Sequence, residues 1–271
     1  MSISASDYSN PKKVALVTGG SYGLGFAMAC HLVAVGYKVV ILARDDAKLR
    51  GAVQKLSKAG GEVVGIACDI TNVEALHDAA ISIQERYREL DFVVANAGSV
   101  HPGLLEDLDP ESAVADIETG LIGAVLTARA FLPFLRSGSK VLFIASGFGL
   151  MGAAGYASYC AANAGIINFA DALRRELLIR NIAVYVACPS DIDTPGFRRE
   201  LEDLPPWMKK ADARGEVMSA DEAAKRILTR CHGRRFLIVI NREIQMLQLM
   251  KRLMPERALQ FLVDRLFPKP S

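Results

Sequence analysis

The chain has 271 residues, of which 51% are hydrophobic, and its formal net charge is +2 at pH 7. This hydrophobic content excludes an intrinsically disordered protein, because enough apolar surface is present to form a core. The near-neutral charge argues against a protein that binds nucleic acid. The length allows one large domain or two small ones.

Taken in chain order, apolar β-branched runs alternate with helical patterns. We predict strands at residues 12–18, 38–43, 62–67, 92–95, 140–145, 182–188 and 235–240. Helices are predicted at residues 26–35, 45–58, 72–89, 110–135, 156–180 and 220–231. This order predicts an α/β protein, with a Rossmann-type, doubly wound parallel β-sheet and helices on both faces, in one domain over residues 12–241.

The cysteines and the N-terminal residues bear on the cellular compartment. The five cysteines are far apart and form no Cys-x-x-Cys pair, which favours a reducing, cytoplasmic compartment where thiols act as small core residues. Residues 1–11 are polar and lack the apolar core of a signal peptide, so we expect a flexible tail. No run of about 18 apolar residues occurs, which argues against a membrane-spanning helix.

Two segments late in the chain differ from the regular alternation. Residues 190–217 contain several prolines, and we interpret them as a movable lid with an apolar face at 204–208. The alternative is a static surface loop. Residues 242–271 predict an amphipathic helical extension, in which 244–267 mix Met and Leu with Lys and Arg. This tail either packs on the domain or on a second subunit, or makes a peripheral contact with a membrane surface.

A glycine-rich turn follows the first predicted strand. Residues 18–25 read Thr-Gly-Gly-Ser-Tyr-Gly-Leu-Gly and lead into the first helix. Backbone N–H groups in such a turn approach a phosphate closely, and the helix N-terminus favours negative charge. The alternative is a tight turn that needs glycine for steric reasons alone.

At every fixed position this turn matches the pattern Thr-Gly-x-x-x-Gly-x-Gly, and the chain resembles the short-chain dehydrogenases/reductases. The resemblance implies that the turn binds a nicotinamide dinucleotide through Gly19, Ser21, Tyr22, Gly23, Leu24 and Gly25. We also expect a homodimer or homotetramer.

The residue after the second strand predicts which dinucleotide binds. Arg44 lies where this fold faces the adenosine ribose, and a guanidinium suits a 2′-phosphate, so we predict NADP(H). Asp45 is the next residue and weakens that prediction, and a solvated arginine is the alternative.

Short motifs after later strands extend the resemblance. Asp69-Ile70 is implied to contact the adenine, although Asp69 could instead cap the next helix. Asn96-Ala97-Gly98 matches the family's Asn-Ala-Gly motif and leaves room for adenine and ribose. Pro189, Ile192 and Thr194 follow the sixth strand and are implied to bind the nicotinamide carboxamide.

The residues implied to carry the chemistry are Ser146 and Tyr159, which are 13 residues apart as in the family. There the tyrosine is the general acid that protonates a carbonyl oxygen, and the serine holds the same oxygen. The alternative is an ordinary helix tyrosine and a loop hydroxyl. His31, His77, His101 and His232 show no ligand spacing, so we predict no metal site.

Two positions depart from the family pattern. Asn163 replaces the lysine four residues after the tyrosine, and Gly120 replaces an asparagine in the preceding long helix. Asn163 can bond the nicotinamide ribose but supplies no charge, so Tyr159 is expected to stay protonated at neutral pH. We then expect carbonyl reduction to proceed at a lower rate and the rate of alcohol oxidation to fall further. The alternative is a nucleotide-binding protein without turnover, with a sensing or assembly role.

A local resemblance points to a substrate. Residues 189–197 read Pro-Ser-Asp-Ile-Asp-Thr-Pro-Gly-Phe and resemble a stretch of the 3-ketodihydrosphingosine reductases. This implies a long-chain 3-keto lipid as substrate. Acyl chains, steroids and small carbonyls remain alternatives.

Overall fold

The strands of the central sheet run in one direction, as the alternating pattern predicts. The computed structural model describes residues 13–209, 217–233 and 235–266. Seven strands form the sheet in the order β3-β2-β1-β4-β5-β6-β9, and every pairing is parallel. The strands are β1 Val14–Thr18, β2 Lys38–Ala43, β3 Val63–Ala67, β4 Leu90–Ala95, β5 Leu135–Ile144, β6 Ala183–Ala187 and β9 Leu237–Ile238. A separate pair of short strands consists of β7 Ile192–Asp193 and β8 Met218–Ser219.

The central strands are buried on both faces, which is why they read as continuous apolar runs. All five residues of β1 are buried, as are five of the six in β2. Helices cover the two faces and form two separate cores. One face carries α1 Gly23–Ala34, α2 Asp46–Lys58 and α9 Ala220–Arg230, and the other carries α3 Val73–Tyr87, α5 Gly123–Phe131 and α6 Ala157–Leu177. The predicted fold class is confirmed.

The predicted helix over 110–135 is interrupted. It consists of α4 Pro110–Ile117, a π-helical turn at Glu118–Ile122, α5 and a short 3₁₀ turn at Leu132–Phe134. The run Pro110–Phe134 is long and apolar enough to cross a bilayer by length and composition alone, with a mean hydropathy of 1.3. Here it packs between the sheet and its neighbouring helices, as a core helix does.

Strand β5 begins at Leu135, five residues earlier than predicted. Leu135 pairs with Leu90, and the register then shifts so that Lys140 pairs with Phe92. The intervening residues bulge out of the ladder. The predicted strand over 235–240 is shorter than expected, because Leu237 and Ile238 alone pair with β6.

The proline-containing segment over 190–217, which was interpreted as a lid or a loop, contains helices. α7 Pro195–Asp203 begins at the cap Thr194, and α8 Pro206–Lys209 follows. Leu204 and Met208 are buried with Tyr156, and Trp207 packs against this cluster. Residues 210–216 of the predicted lid lie outside the described residues, as do 1–11 and 267–271 of the two predicted tails and residue 12 of the first predicted strand.

The C-terminal extension forms α10 Arg242–Leu253 and α11 Glu256–Leu266. Ile244 packs against the core, and Lys251 donates a hydrogen bond to the carbonyl oxygen of Leu150. The apolar side chains that remain exposed on these helices include Met246, Leu249, Leu253 and Phe261. Contact of this surface with a membrane or with a second subunit stays a prediction.

Candidate active site

A cavity of about 450 Å³ opens at the carboxyl ends of the central strands. The chain leaves β1 toward β2 on one side, while β4 lies on the other, and such a reversal of strand order creates a crevice. Nearly all the residues predicted to form the site line this cavity. They are Gly19, Ser21, Tyr22, Gly23, Leu24, Arg44, Asp69, Ile70, Asn96, Ala97, Gly98, Ser146, Tyr159, Asn163, Pro189, Ile192 and Thr194.

The glycine turn is shaped by close backbone contacts. Gly19 and Gly23 have φ values of 64° and 60°, a region that favours glycine. Gly25 does not line the cavity. A Cβ atom there would lie 2.4 Å from Asn96 Nδ2 and 2.4 Å from the Gly19 carbonyl oxygen, so Gly25 lets the loop after β4 approach the turn.

Asn96 holds two loops together. Its Nδ2 donates to the Thr18 carbonyl oxygen at 3.0 Å, and its backbone N–H donates to Thr18 Oγ1 at 3.0 Å. The Ala97 N–H donates to the same hydroxyl at 3.1 Å. These bonds fix the end of β4 against the glycine turn and set the width of the cavity between them.

The N-terminus of α1 faces this turn. Tyr22 is the N-cap residue, but its side chain makes no capping bond, and the first helical turn carries no acidic residue. The N–H groups of a helix start need an acceptor, and an anion is a favourable one. This end of the cavity therefore suits a phosphate group.

Basic side chains gather beyond the turn. Arg44, Lys48 and Arg199 all line the cavity, and the cationic groups of Lys48 and Arg199 lie 5.8 and 5.7 Å from the centre of the Tyr22 ring. Asp45, the residue that weakened the NADP prediction, caps α2 by accepting a bond from the Lys48 N–H at 3.0 Å. The Asp45 carboxylate is therefore engaged with Lys48, and Arg44 lines the cavity.

Asp69 lies beside Arg44 but does not cap a helix. Its Oδ1 accepts bonds from the N–H of Thr71 at 2.9 Å and from Thr71 Oγ1 at 2.8 Å, while Asn72 caps α3. The capping alternative for Asp69 is thus wrong. Its Oδ2 is 3.9 Å from an Arg44 guanidinium nitrogen, and both side chains are exposed.

The segment after β6 closes the opposite end of the cavity. The Gly147 N–H donates to the Pro189 carbonyl oxygen at 2.8 Å, which joins this segment to the loop after β5. Thr194 Oγ1 accepts a bond from the Phe197 N–H at 3.0 Å. A hydroxyl that accepts one bond keeps its own hydrogen, so Thr194 can still donate to a ligand.

Ser146 and Tyr159 meet at this end. Ser146 follows β5, and its Oγ accepts a bond from the Phe148 N–H at 3.2 Å, which leaves the hydroxyl hydrogen to donate. Tyr159 lies in the first turn of α6, with its ring edge-on to Phe148 at 6.4 Å between centroids. The two hydroxyl-bearing side chains thus reach the same part of the cavity from different elements.

The pKa of Tyr159 is raised to about 12, chiefly by burial. The carboxylates of Glu200 and Asp116 act in the same direction as burial, whereas the hydrogen-bonding side chains of Ser146 and Asn163 act against it. The phenol is therefore protonated throughout the neutral range and is able to donate a proton.

The two departures from the family pattern lie next to Tyr159. Asn163 is 5% exposed, and its Nδ2 donates to the Tyr159 carbonyl oxygen at 2.8 Å within the helix. Gly120 lies in the π-helical turn, where a Cβ atom would be 3.3 Å from the Cβ of Ala162. An asparagine at position 120 would press on α6, so the glycine matches the close approach of the two helices.

The sequence profile of the short chain dehydrogenase family matches residues 13–205. The chain belongs to this family. Within that match the chain carries the glycine turn, the basic end of the cavity, Ser146 and Tyr159.

Two relatives show how far the similarity extends. This chain is 33% identical over 84% of its length to the PIGF/3-ketodihydrosphingosine reductase fusion protein of Schizosaccharomyces pombe, of which the match covers 47%. It thus spans about half the length of that relative. It is 31% identical over 79% of its length to the 3-oxoacyl-[acyl-carrier-protein] reductase of Salmonella typhimurium, with 88% of that protein covered.

Solved structures share the fold. This chain matches a short chain dehydrogenase from Burkholderia cenocepacia J2315, crystallised in complex with NADP, with a TM-score of 0.78 and 27% identity. The match covers 95% of this chain and 98% of the solved one.

Several residues that line the cavity were missed by the sequence interpretation. Asp116 is fully buried on α4 and lines the cavity, and Arg199 and Glu200 reach it from α7. The signal for Asp116 was a carboxylate within an apolar helical run, but periodicity alone does not show which face is buried. Arg199 and Glu200 were missed because residues 190–217 were interpreted as a lid or a loop, and no helix was predicted there.

Proposed function

We propose that this protein is an NADP(H)-dependent ketone reductase. One observation carries this proposal: Ser146 and Tyr159 lie at one end of the cavity whose other end is formed by the glycine turn and Arg44. A hydride donor and a ketone bound end to end would then bring the reacting carbon beside the phenol.

The lining residues fit a dinucleotide. Glycine leaves room for a phosphate where the backbone of residues 19–23 is tight, and the uncapped start of α1 offers N–H donors. Arg44 would hold a 2′-phosphate, and Thr194 would donate to the carboxamide. When bound, NADPH supplies the hydride. Tyr159 donates its proton to the carbonyl oxygen, and the Ser146 hydroxyl donates a hydrogen bond that holds the same oxygen.

Replacing Arg44 by alanine is expected to weaken NADPH binding by about 10- to 100-fold, because charge-assisted hydrogen bonds to the 2′-phosphate are lost. NADH carries no such phosphate, so its affinity should not change. Calorimetric titration of both nucleotides measures the ratio of the NADPH affinity to the NADH affinity. Arg50→Ala is the matched control, since Arg50 pairs with Asp46 outside the cavity. A wild-type preference for NADH, or equal losses for both nucleotides, would contradict the proposal.

For the substrate we propose a long-chain 3-keto lipid. Tyr159 packs against an apolar cluster that includes Val100, Phe148, Tyr156, Met208 and Trp207. Of these residues Val100 and Phe148 line the cavity, so its carbonyl end has aliphatic and aromatic walls. Both relatives named above have a 3-keto or 3-oxo compound in their names. The stretch 189–197 supports a sphingoid ketone over an acyl thioester, whereas steroids and small carbonyls lack this support.

A nucleotide-binding protein without turnover is the second candidate. Asn163 and Gly120 favour it, because neither side chain replaces the charge or the polar contact of the family's residues. Such a protein would act through sensing or assembly and would keep its affinity for nucleotide.

A ketone series assayed with NADPH tests the two candidates together. We expect NADPH oxidation with long-chain 3-keto amines, and a KM that falls about fourfold with each added methylene group that becomes buried. A 3-oxoacyl thioester of equal chain length and a short ketone serve as comparisons. Calorimetric binding of NADPH without turnover of any ketone would favour the second candidate.

A further inference from the structure

A buried carboxylate lies beside the proposed active site without a role in the chemistry above. Asp116 is 0% exposed and accepts three hydrogen bonds. The His101 ring donates from Nδ1 to Oδ1 at 2.7 Å, the His101 N–H donates to Oδ2 at 3.3 Å, and Ser158 Oγ donates to Oδ2 at 2.9 Å. A buried carboxylate is costly, so three donors that converge on it hold it in one orientation.

This cluster links the cavity to solvent. Asp116 lines the cavity together with Thr119, Gly120 and Tyr159. The His101 side chain, on the other side of the carboxylate, is 40% exposed. Because Nδ1 donates to Asp116, the outward nitrogen Nε2 carries the lone pair and can accept a proton. Imidazole is the side chain that exchanges protons with water near neutral pH.

The departures at positions 163 and 120 make such a link necessary. A tyrosine that has given up its proton must be reprotonated before the next turnover. Asn163 has no ionisable group, and its Nδ2 is engaged with the Tyr159 carbonyl oxygen. Gly120 has no side chain that could bond to Tyr159, and it lines the cavity together with Asp116 and Tyr159.

We propose that Asp116 and His101 form the proton relay that reprotonates Tyr159 after each ketone is reduced. The inference rests on the proposed function and names two residues that act through Tyr159. They are positioning residues for the proton, since neither is placed against the substrate carbon.

Protons and charges balance along this path. The phenol loses its proton to the alkoxide oxygen that forms as hydride arrives. The His101 Nε2 takes a proton from solvent, Nδ1 passes its hydrogen to Asp116 Oδ1, and the carboxylic acid gives this same proton through cavity water to the phenolate. His101 then loses its Nε2 hydrogen to solvent and regains a hydrogen on Nδ1, which restores its starting tautomer. The cycle consumes one solvent proton for each ketone reduced.

The charged groups that face the relay come from three elements. Asp116 lies on α4, Tyr159 on α6 and Glu200 on α7, where Glu200 Oε1 accepts a bond from the Tyr156 hydroxyl at 2.6 Å. Both carboxylates raise the pKa of Tyr159, so its phenolate is a strong base that takes up a proton from a neighbouring acid.

His101→Asn tests the relay, because an amide can still donate to Asp116 but does not carry protons. We expect kcat for ketone reduction to fall on the order of 10²-fold with KM unchanged, and the solvent deuterium isotope effect on kcat to rise. Added imidazole should restore the activity of His101→Ala, since the site is open to solvent. His77→Asn, at an exposed position on α3 away from the cavity, is the matched control.

Asp116→Asn should show the same loss of kcat as His101→Asn. If the Asp116→Asn variant does not fold, the His101→Asn result alone tests the relay. An unchanged kcat in His101→Asn, or a loss that imidazole does not rescue in His101→Ala, overturns the relay. Nitrogen-15 shifts of the His101 ring in the nucleotide-free protein give a readout without turnover. We expect a hydrogen on Nδ1, and a hydrogen on Nε2 in its place would overturn the relay even where no ketone is found to react.

Discussion

Tyr159→Phe is expected to lower kcat for ketone reduction by about 10²- to 10⁴-fold, the range typical of a lost general acid. The phenol proton is the one that the alkoxide oxygen receives, and Phe retains the ring and its packing against Phe148. Nucleotide binding should persist, because the glycine turn and Arg44 lie at the other end of the cavity. Stopped-flow or steady-state rates with NADPH, together with calorimetric NADPH affinity, separate the two effects.

Tyr156→Phe is the matched control for this experiment. Tyr156 is three residues away, its ring packs 6.3 Å from that of Tyr159, and its hydroxyl is bonded to Glu200. Loss of that hydroxyl should change kcat by far less than loss of the Tyr159 hydroxyl. If both variants retain wild-type kcat, or if Tyr156→Phe loses more, Tyr159 is not the proton donor.

The elements that the sequence predicted best are those whose residues face the same environment throughout. Strand β2 matches its predicted bounds, 38–43, because it pairs on both edges and its residues are mostly buried on both faces. The start of β5 was missed because its first residue pairs with Leu90 across a bulge, and a local pattern does not show which distant strand a residue meets.

The helices within residues 190–217 were not predicted although a signal was present, and the interpretation of the segment as a lid stays a prediction. Thr194 followed by Pro195 is the N-cap and first-turn pattern of a helix, and α7 begins there. The proline content was given more weight than this pattern. As a result, Arg199 and Glu200 were absent from the predicted site, although both line the cavity from α7.

The candidate site also has a part that the sequence predicted and a part that it did not. Motifs that follow strands identified the cavity lining, because carboxyl ends of parallel strands meet at one edge of a sheet. The Asp116–His101 contact joins residues 15 positions apart, on a helix and on the loop after β4. Neither residue lies in a motif, and only the packing of α4 on α6 brings them together beside Tyr159.

Alcohol oxidation is expected to be nearly absent at pH 7 and to rise about tenfold with each pH unit above it. Oxidation needs the phenolate of Tyr159 as a base, and burial holds the pKa of this phenol at about 12. The fraction ionised at pH 7 is then ~10⁻⁵. Reduction uses the protonated phenol, so ionisation of Tyr159 does not limit it over the same range. Initial rates in both directions from pH 6 to pH 10 measure the difference.

Asn163→Lys should narrow this difference between reduction and oxidation. An ammonium group beside the phenol lowers its pKa by about 1–3 units, so oxidation at pH 7 should gain about 10- to 1,000-fold. The helical position of residue 163, one turn after Tyr159 and on the cavity lining, lets a longer side chain reach the hydroxyl. Asn163→Met matches lysine in length without its charge and controls for the added volume. Equal oxidation rates in the Lys and Met variants would mean that the charge at position 163 does not set the direction of the reaction, and the low ionisation of Tyr159 would then not explain it.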